Sequence, residues 1–170
     1  MALKLLHRAD WTGFRPVLAA PAFPVESELS GLWFDAPGPE LLRCGWPELE
    51  ARAAGRFSLR LPELLLPFGE GRPADLPALR RASAGCPADG FALRAVARPR
   101  LAAGTWQLAV AVFDEPLRVF LDGEPAPRQP PGTTEHRVPL RLEAEREVEL
   151  VVETLELRGW ALLMARLERM

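Results

Sequence analysis

Residues 91–123 read FALRAVARPRLAAGTWQLAVAVFDEPLRVFLDG, and this stretch decides the fold class. Phe91, Leu93 and Ala95 alternate with Ala92, Arg94 and Val96, a period of two that belongs to a β-strand. Pro99 ends that run and Ala103-Gly104 turns the chain. Trp106, Leu108, Val110 and Val112 then share one face, with the small Ala109 and Ala111 behind them, a pattern for a strand covered on both sides. Asp114-Glu115-Pro116 breaks the run. Leu117, Val119 and Leu121 alternate next with Arg118, Phe120 and Asp122, and Asp122-Gly123 is a tight-turn pair.

The strand pattern continues toward the C-terminus. Val138, Leu140 and Leu142 form one stripe, and Val148, Leu150 and Val152 another. After Thr154 the apolar parity moves to Leu155 and Leu157, which predicts a bulge or a turn, because side-chain facing has a period of two. Residues 159–167 favour helix by propensity, but the run is short and opens on Gly159, so periodicity alone leaves it open.

The N-terminal half is punctuated by proline. Residues 29–35 give a short apolar run closed by Asp35-Ala-Pro-Gly38, and Phe57-Ser-Leu-Arg-Leu61 is a period-two strand. Residues 47–54 and 77–84 each begin at Pro and are followed by Gly, the grammar of a two-turn helix. Short strands separated by turn signals, without a βαβ rhythm, predict an all-β fold: an antiparallel, jelly-roll-like β-sandwich with one or two short helices in the N-terminal half. The 170 residues suit one domain, read as an extended segment over 1–28 and a sandwich over 29–170.

Composition narrows the function. A net charge of -2 with scattered basic residues argues against a nucleic-acid partner. No apolar run reaches the 18 residues of a membrane helix and the N-terminus is not a signal peptide, so the expectation is no membrane and a cytoplasmic location. Lys4 is the only lysine among 21 basic residues, there is no Asn, and proline numbers 18; this fits GC-rich codon usage and resembles a heat-adapted, thermophile-like composition. Cys44 and Cys86 have no metal-motif spacing and read as buried free thiols.

No nucleophile elbow, zinc-binding helix, Walker loop or C-x-x-C occurs, so no catalytic residue is assigned and the chain is read as not an enzyme. His136 reads as a structural or solvated histidine. Glu143, Glu145, Glu147, Glu149 and Glu153 read as the solvated face opposite the Val148-Leu150-Val152 stripe. Asp114, Glu115 and Asp122 bracket one strand and could meet at a loop end, where carboxylates serve hard cations such as Ca²⁺, although turns demand the same residues. Trp33 and Trp46 lie in the irregular half, where binding loops concentrate, and complete the candidate ligand-binding set.

Five pieces in order over residues 87–167 resemble the PA14 family and galactose-binding-like sandwiches. They are Pro87-Ala-Asp-Gly-Phe-Ala-Leu-Arg94, Leu101-Ala-Ala-Gly-Thr-Trp-Gln-Leu108, Asp114-Glu115 with Arg118-Val-Phe-Leu-Asp-Gly123, Leu142-Glu-Ala144, and Gly159-Trp-Ala-Leu-Leu163. Ser30-Gly-Leu-Trp-Phe-Asp35 resembles the family's opening strand. The resemblance implies that the terminal run is a strand. It also implies a carbohydrate-associated binding or accessory domain, with a structural or protein-interaction module as the alternative and a glycoside hydrolase-type domain behind both. Sugar-binding members hold Ca²⁺ with an acidic pair and an Asn. Here the pair is Asp114 and Glu115, Pro116 stands where Gly is usual, and no Asn exists, so no cofactor is expected beyond a Ca²⁺ site that this chain leaves incomplete.

Overall fold

The computed structural model describes residues 22–113, 115–130 and 133–170. Thirteen strands are described: β1 (Ala22–Pro24), β2 (Ser27–Trp33), β3 (Gly55–Leu61), β4 (Leu64–Gly69), β5 (Phe91–Ala97), β6 (Arg100–Leu101), β7 (Gly104–Val112), β8 (Leu117–Leu121), β9 (Glu124–Pro125), β10 (Glu135–Leu142), β11 (Arg146–Glu147), β12 (Leu150–Glu156) and β13 (Ala161–Arg169). One sheet runs β3-β2-β5-β12-β8-β9. The other runs β1-β13-β7-β10, and β4 also pairs with β13. Strands β4 and β1 share one side of β13 end to end, covering residues 161–165 and 166–168 respectively. Every pairing is antiparallel, as the alternating patterns predict.

The inner faces of the two sheets enclose the main core. Trp106, Leu108, Val110 and Val112 of β7 meet Leu29, Phe91, Leu93, Leu150 and Val152 across it. A second, smaller core lies on the outer face of the six-stranded sheet. There Leu32, Ala92 and Leu155 are covered by Leu41, Cys44, Trp46 and Leu49. These covering residues come from a short 3₁₀ turn (Pro39–Arg43) and the helix α1 (Trp46–Arg52), which starts after Gly45 with Pro in its first turn.

Several expectations need correction. Leu155 does not mark a slip: β12 pairs with β5 in unbroken register from Leu150 to Glu156. The strand is buried on both faces, so its apolar residues need not alternate. Residues 77–84 form successive turns rather than a regular helix, although Arg80 and Ser83 donate to the carbonyls four residues back. β4 is a strand despite Pro67, and it occupies the edge of its sheet, where a missing N–H costs least. Most of the segment read as extended, residues 1–21, lies outside the described residues. The terminal run is strand β13, as the resemblance implies. Cys44 and Cys86 are buried free thiols.

Two glycines are set by aromatic neighbours. The Phe57 ring lies over Gly31, and the Trp33 indole lies over Gly55, its partner directly across the ladder. A methyl group at either glycine would collide with the ring.

Candidate functional site

Across the outer face of the six-stranded sheet, register aligns Ser58, Ser30, Arg94, Glu153 and Arg118 in one row over β3, β2, β5, β12 and β8. Glu153 is only 6 % exposed. It is therefore not part of a solvated face, unlike Glu143, Glu145 and Glu147, which are exposed. Its carboxylate pairs with Arg118 Nε at 3.0 Å and Arg94 Nε at 3.3 Å. Burial pushes its pKa above the ordinary carboxylate range, against the opposing pull of the two guanidiniums. Arg118 also donates from Nη1 to the Cys44 carbonyl at 2.9 Å, tying the helical insertion to β8. The Arg94 guanidinium sits 6.0 Å from the Trp46 ring centroid.

This row ends in a cleft of about 600 Å³. Leu41, Leu42, Arg43 and Trp46 of the insertion form one part of its wall. Phe113, Glu115, Pro116 and Arg118 form a second, and Arg128, Gln129, Thr133 and His136 a third. Glu153, Thr154 and Leu155 complete the lining. A smaller lobe of about 220 Å³, under Val119, Phe120, Ala126 and Val138, shares Leu117, Arg118, Arg128, Gln129 and His136 with the first. The two hollows are therefore neighbours, with mostly polar side chains common to both linings. Leu42 is 46 % exposed at the rim.

The Thr154 hydroxyl is buried in this lining and makes no hydrogen bond among the described residues. By register Thr154 shares its face of β12 with Leu150 and Val152 of the main core, opposite Glu153 and Leu155. Burial holds His136 below the usual imidazole range, so it is neutral at pH 7.

The predicted site residues divide. Glu115 and Trp46 line the cleft. Glu115 is buried and its two carboxylate oxygens accept backbone N–H groups, from Leu162 at 2.6 Å and Phe113 at 2.7 Å. Trp46 is mostly buried, and its indole N–H donates to Glu50 at 3.1 Å. Trp33 is not in the lining; it packs over Gly55 against the main core. Asp122 does not meet Glu115, because β8 separates them: seven residues of extended chain span about 20 Å. It sits with φ 49° in a turn with Gly123 at φ 83°. There it accepts the Glu149 amide at 2.9 Å and pairs with Arg146 at 2.8 Å, contacts that lower its pKa. Asp114 lies outside the described residues.

Among the described residues no three His, Cys, Asp or Glu side chains gather as metal ligands. With Glu115 committed to amides and no Asn in the chain, the residues present do not fit a calcium-assisted sugar site.

Sequence reasoning missed Arg118, Glu153 and Thr154. The available signal was a charge inside an otherwise apolar run, Val151-Val152-Glu153-Thr154-Leu155, facing an arginine on each neighbouring strand. No helix among the described residues is long and apolar enough to cross a membrane.

No protein-family model and no curated protein matches the chain. Solved structures do. An anti-sigma factor domain-containing protein superposes with a TM-score of 0.55 at 16 % identity, over 86 % of this chain and 43 % of the other, so the chain spans less than half the length of that protein. The PA14 domain of an antifreeze protein gives 0.53 at 12 % identity, over 89 % of this chain and 85 % of that domain. A PA14 sugar-binding domain from an RTX adhesin gives 0.51 at 14 %, over 85 % and 90 %. At these identities the likeness concerns architecture, and the architecture of this chain is a PA14-like β-sandwich.

Proposed function

We propose that this chain is a non-catalytic binding domain that holds a carbohydrate in the cleft beside Glu115. The observation that carries the reading is the cleft itself, walled by the 39–46 segment, β8 and the residues after β9. Its volume falls within the range of small-ligand sites. Arg118, Gln129 and Thr133 offer hydrogen-bonding groups suited to sugar hydroxyls, and Leu41, Leu42 and Phe113 offer apolar wall for the C–H faces of a ring. The neighbour from an RTX adhesin is a sugar-binding domain, which points the same way.

The state of the two cleft carboxylates supports binding rather than turnover. Glycoside hydrolysis uses one carboxyl to deliver a proton and another to attack or activate water. Glu115 is held by two amides and Glu153 by two guanidiniums, so each is already committed to the fold.

Thermal melting against a panel of soluble polysaccharides tests the reading, since a ligand specific for the native state raises the melting temperature. At least one saccharide is expected to do so, and Ca²⁺ is expected to leave the melting temperature unmoved. A panel without effect would remove carbohydrate as the ligand. A second reading, a structural or protein-interaction module, draws on the exposed Leu42 and on the commitment of Glu115 to amides. Concentration-dependent sedimentation would favour it.

A further inference from the structure

The charges lining the larger cleft do not balance among the described residues. Arg43 and Arg128 are exposed in the lining, and neither forms an ion pair among the described residues. Arg118, also in the lining, balances Glu153 together with Arg94. The other carboxylate in the lining, Glu115, is buried against backbone N–H groups. Among the described residues, the exposed charged side chains of the lining are therefore the two arginines, on a protein whose net charge is -2. Arg43 comes from the helical insertion and Arg128 from the loop after β9, so the two guanidiniums reach the cleft from different walls.

We infer that the saccharide is acidic, with a ring carboxylate held by Arg43 and Arg128 and a neighbouring ring seated toward the hollow lined by Val119 and Val138. The inference rests on the carbohydrate reading above and narrows it. Guanidinium groups match carboxylates in planar, paired hydrogen bonds, which neutral hydroxyls do not reproduce. The smaller lobe gives the neighbouring ring an apolar seat.

The test is calorimetric titration with uronate oligosaccharides, each beside its neutral counterpart of the same stereochemistry: glucuronate with glucose, galacturonate with galactose, mannuronate with mannose. One uronate is expected to bind at least about tenfold more tightly than its neutral partner. That preference should weaken as salt is raised and vanish in the double variant Arg43→Gln, Arg128→Gln. Both positions are exposed, so the variant should melt at the wild-type temperature, which checks its fold. Equal affinity for the two members of a pair, tighter binding of the neutral sugar, or a preference unchanged in the double variant would overturn the acidic assignment while leaving the carbohydrate reading intact. If no member of any pair binds, both fall.

Discussion

Glu153 is the residue around which the site is organised. Buried between Arg94 and Arg118 in a five-strand polar row, it fixes both, and through Arg118 it fixes the insertion that walls the cleft. Removing one partner of a buried charge leaves the other under-compensated. Arg118→Ala should therefore destabilise the domain by about 1–3 kcal/mol near pH 8. The sign of its pH dependence follows from the raised pKa of Glu153. The native state holds this proton more tightly than the unfolded chain, so stability falls as pH rises from the ordinary Glu value of about 4.3 through the raised native value. The variant, with less positive charge nearby, should fall further over that window. Urea unfolding at pH 5 and pH 8 should show a larger wild-type to variant gap at pH 8; an equal gap at both would mean that the pair contributes little.

Cys86 gives a second test at this scale. Burial pushes its thiol up to about 12, with Arg72 pulling weakly the other way, so it stays protonated in the native state. The unfolded thiol ionises near 9, so the stability this site contributes is lost as pH rises from about 9 toward 12, by up to about 1.4 kcal/mol per unit. Cys86 should resist Ellman's reagent at pH 8 in the folded protein and react once it is unfolded. Rapid native reaction would show that the site opens.

At the scale of elements, the pairing of β2 with β3 depends on two ring-over-glycine contacts, Phe57 on Gly31 and Trp33 on Gly55. Both positions adjoin rigid aromatic rings, so an added methyl group must displace the ring. Gly55→Ala should cost about 1–3 kcal/mol by overpacking and should shift Trp fluorescence. A variant as stable as wild type would mean that the Trp33 ring moves freely.

The same scale shows how far the sequence could be read. Strands whose apolar residues alternate were legible: the alternations in residues 57–61, 91–97 and 138–142 all lie in strands. β12 misled because both its faces are covered, which removes the alternation and hides Glu153 among its apolar neighbours. β4 escaped notice because Pro67 interrupts its pattern while its edge position makes that interruption tolerable. The helical grammar at 47–54 met a sheet face to pack on and became α1. At 77–84 the same grammar yielded only turns, with Leu79 and Ser83 buried. The acidic turn was visible as residues, but the commitment of Glu115 to two amides depends on β13, 47 positions away.

At the scale of the whole molecule, two sheets make the core, and an insertion on the outer face of one of them makes the cleft. The PA14-like frame supplies the strand ends; the 39–52 segment, together with Arg128, Gln129, Pro130 and Thr133, supplies much of the wall. The most direct measurement is amide chemical-shift mapping of the ¹⁵N-labelled chain during titration with the saccharide that raises its melting temperature most. The predicted result is saturable shifts grouped at Leu41–Trp46, Phe113–Arg118, Arg128–His136 and Glu153–Leu155. Shifts centred elsewhere, for instance around Gln107 and Glu168 on the outer face of the other sheet, or no saturable shifts at all, would contradict the assignment of this cleft as the binding site.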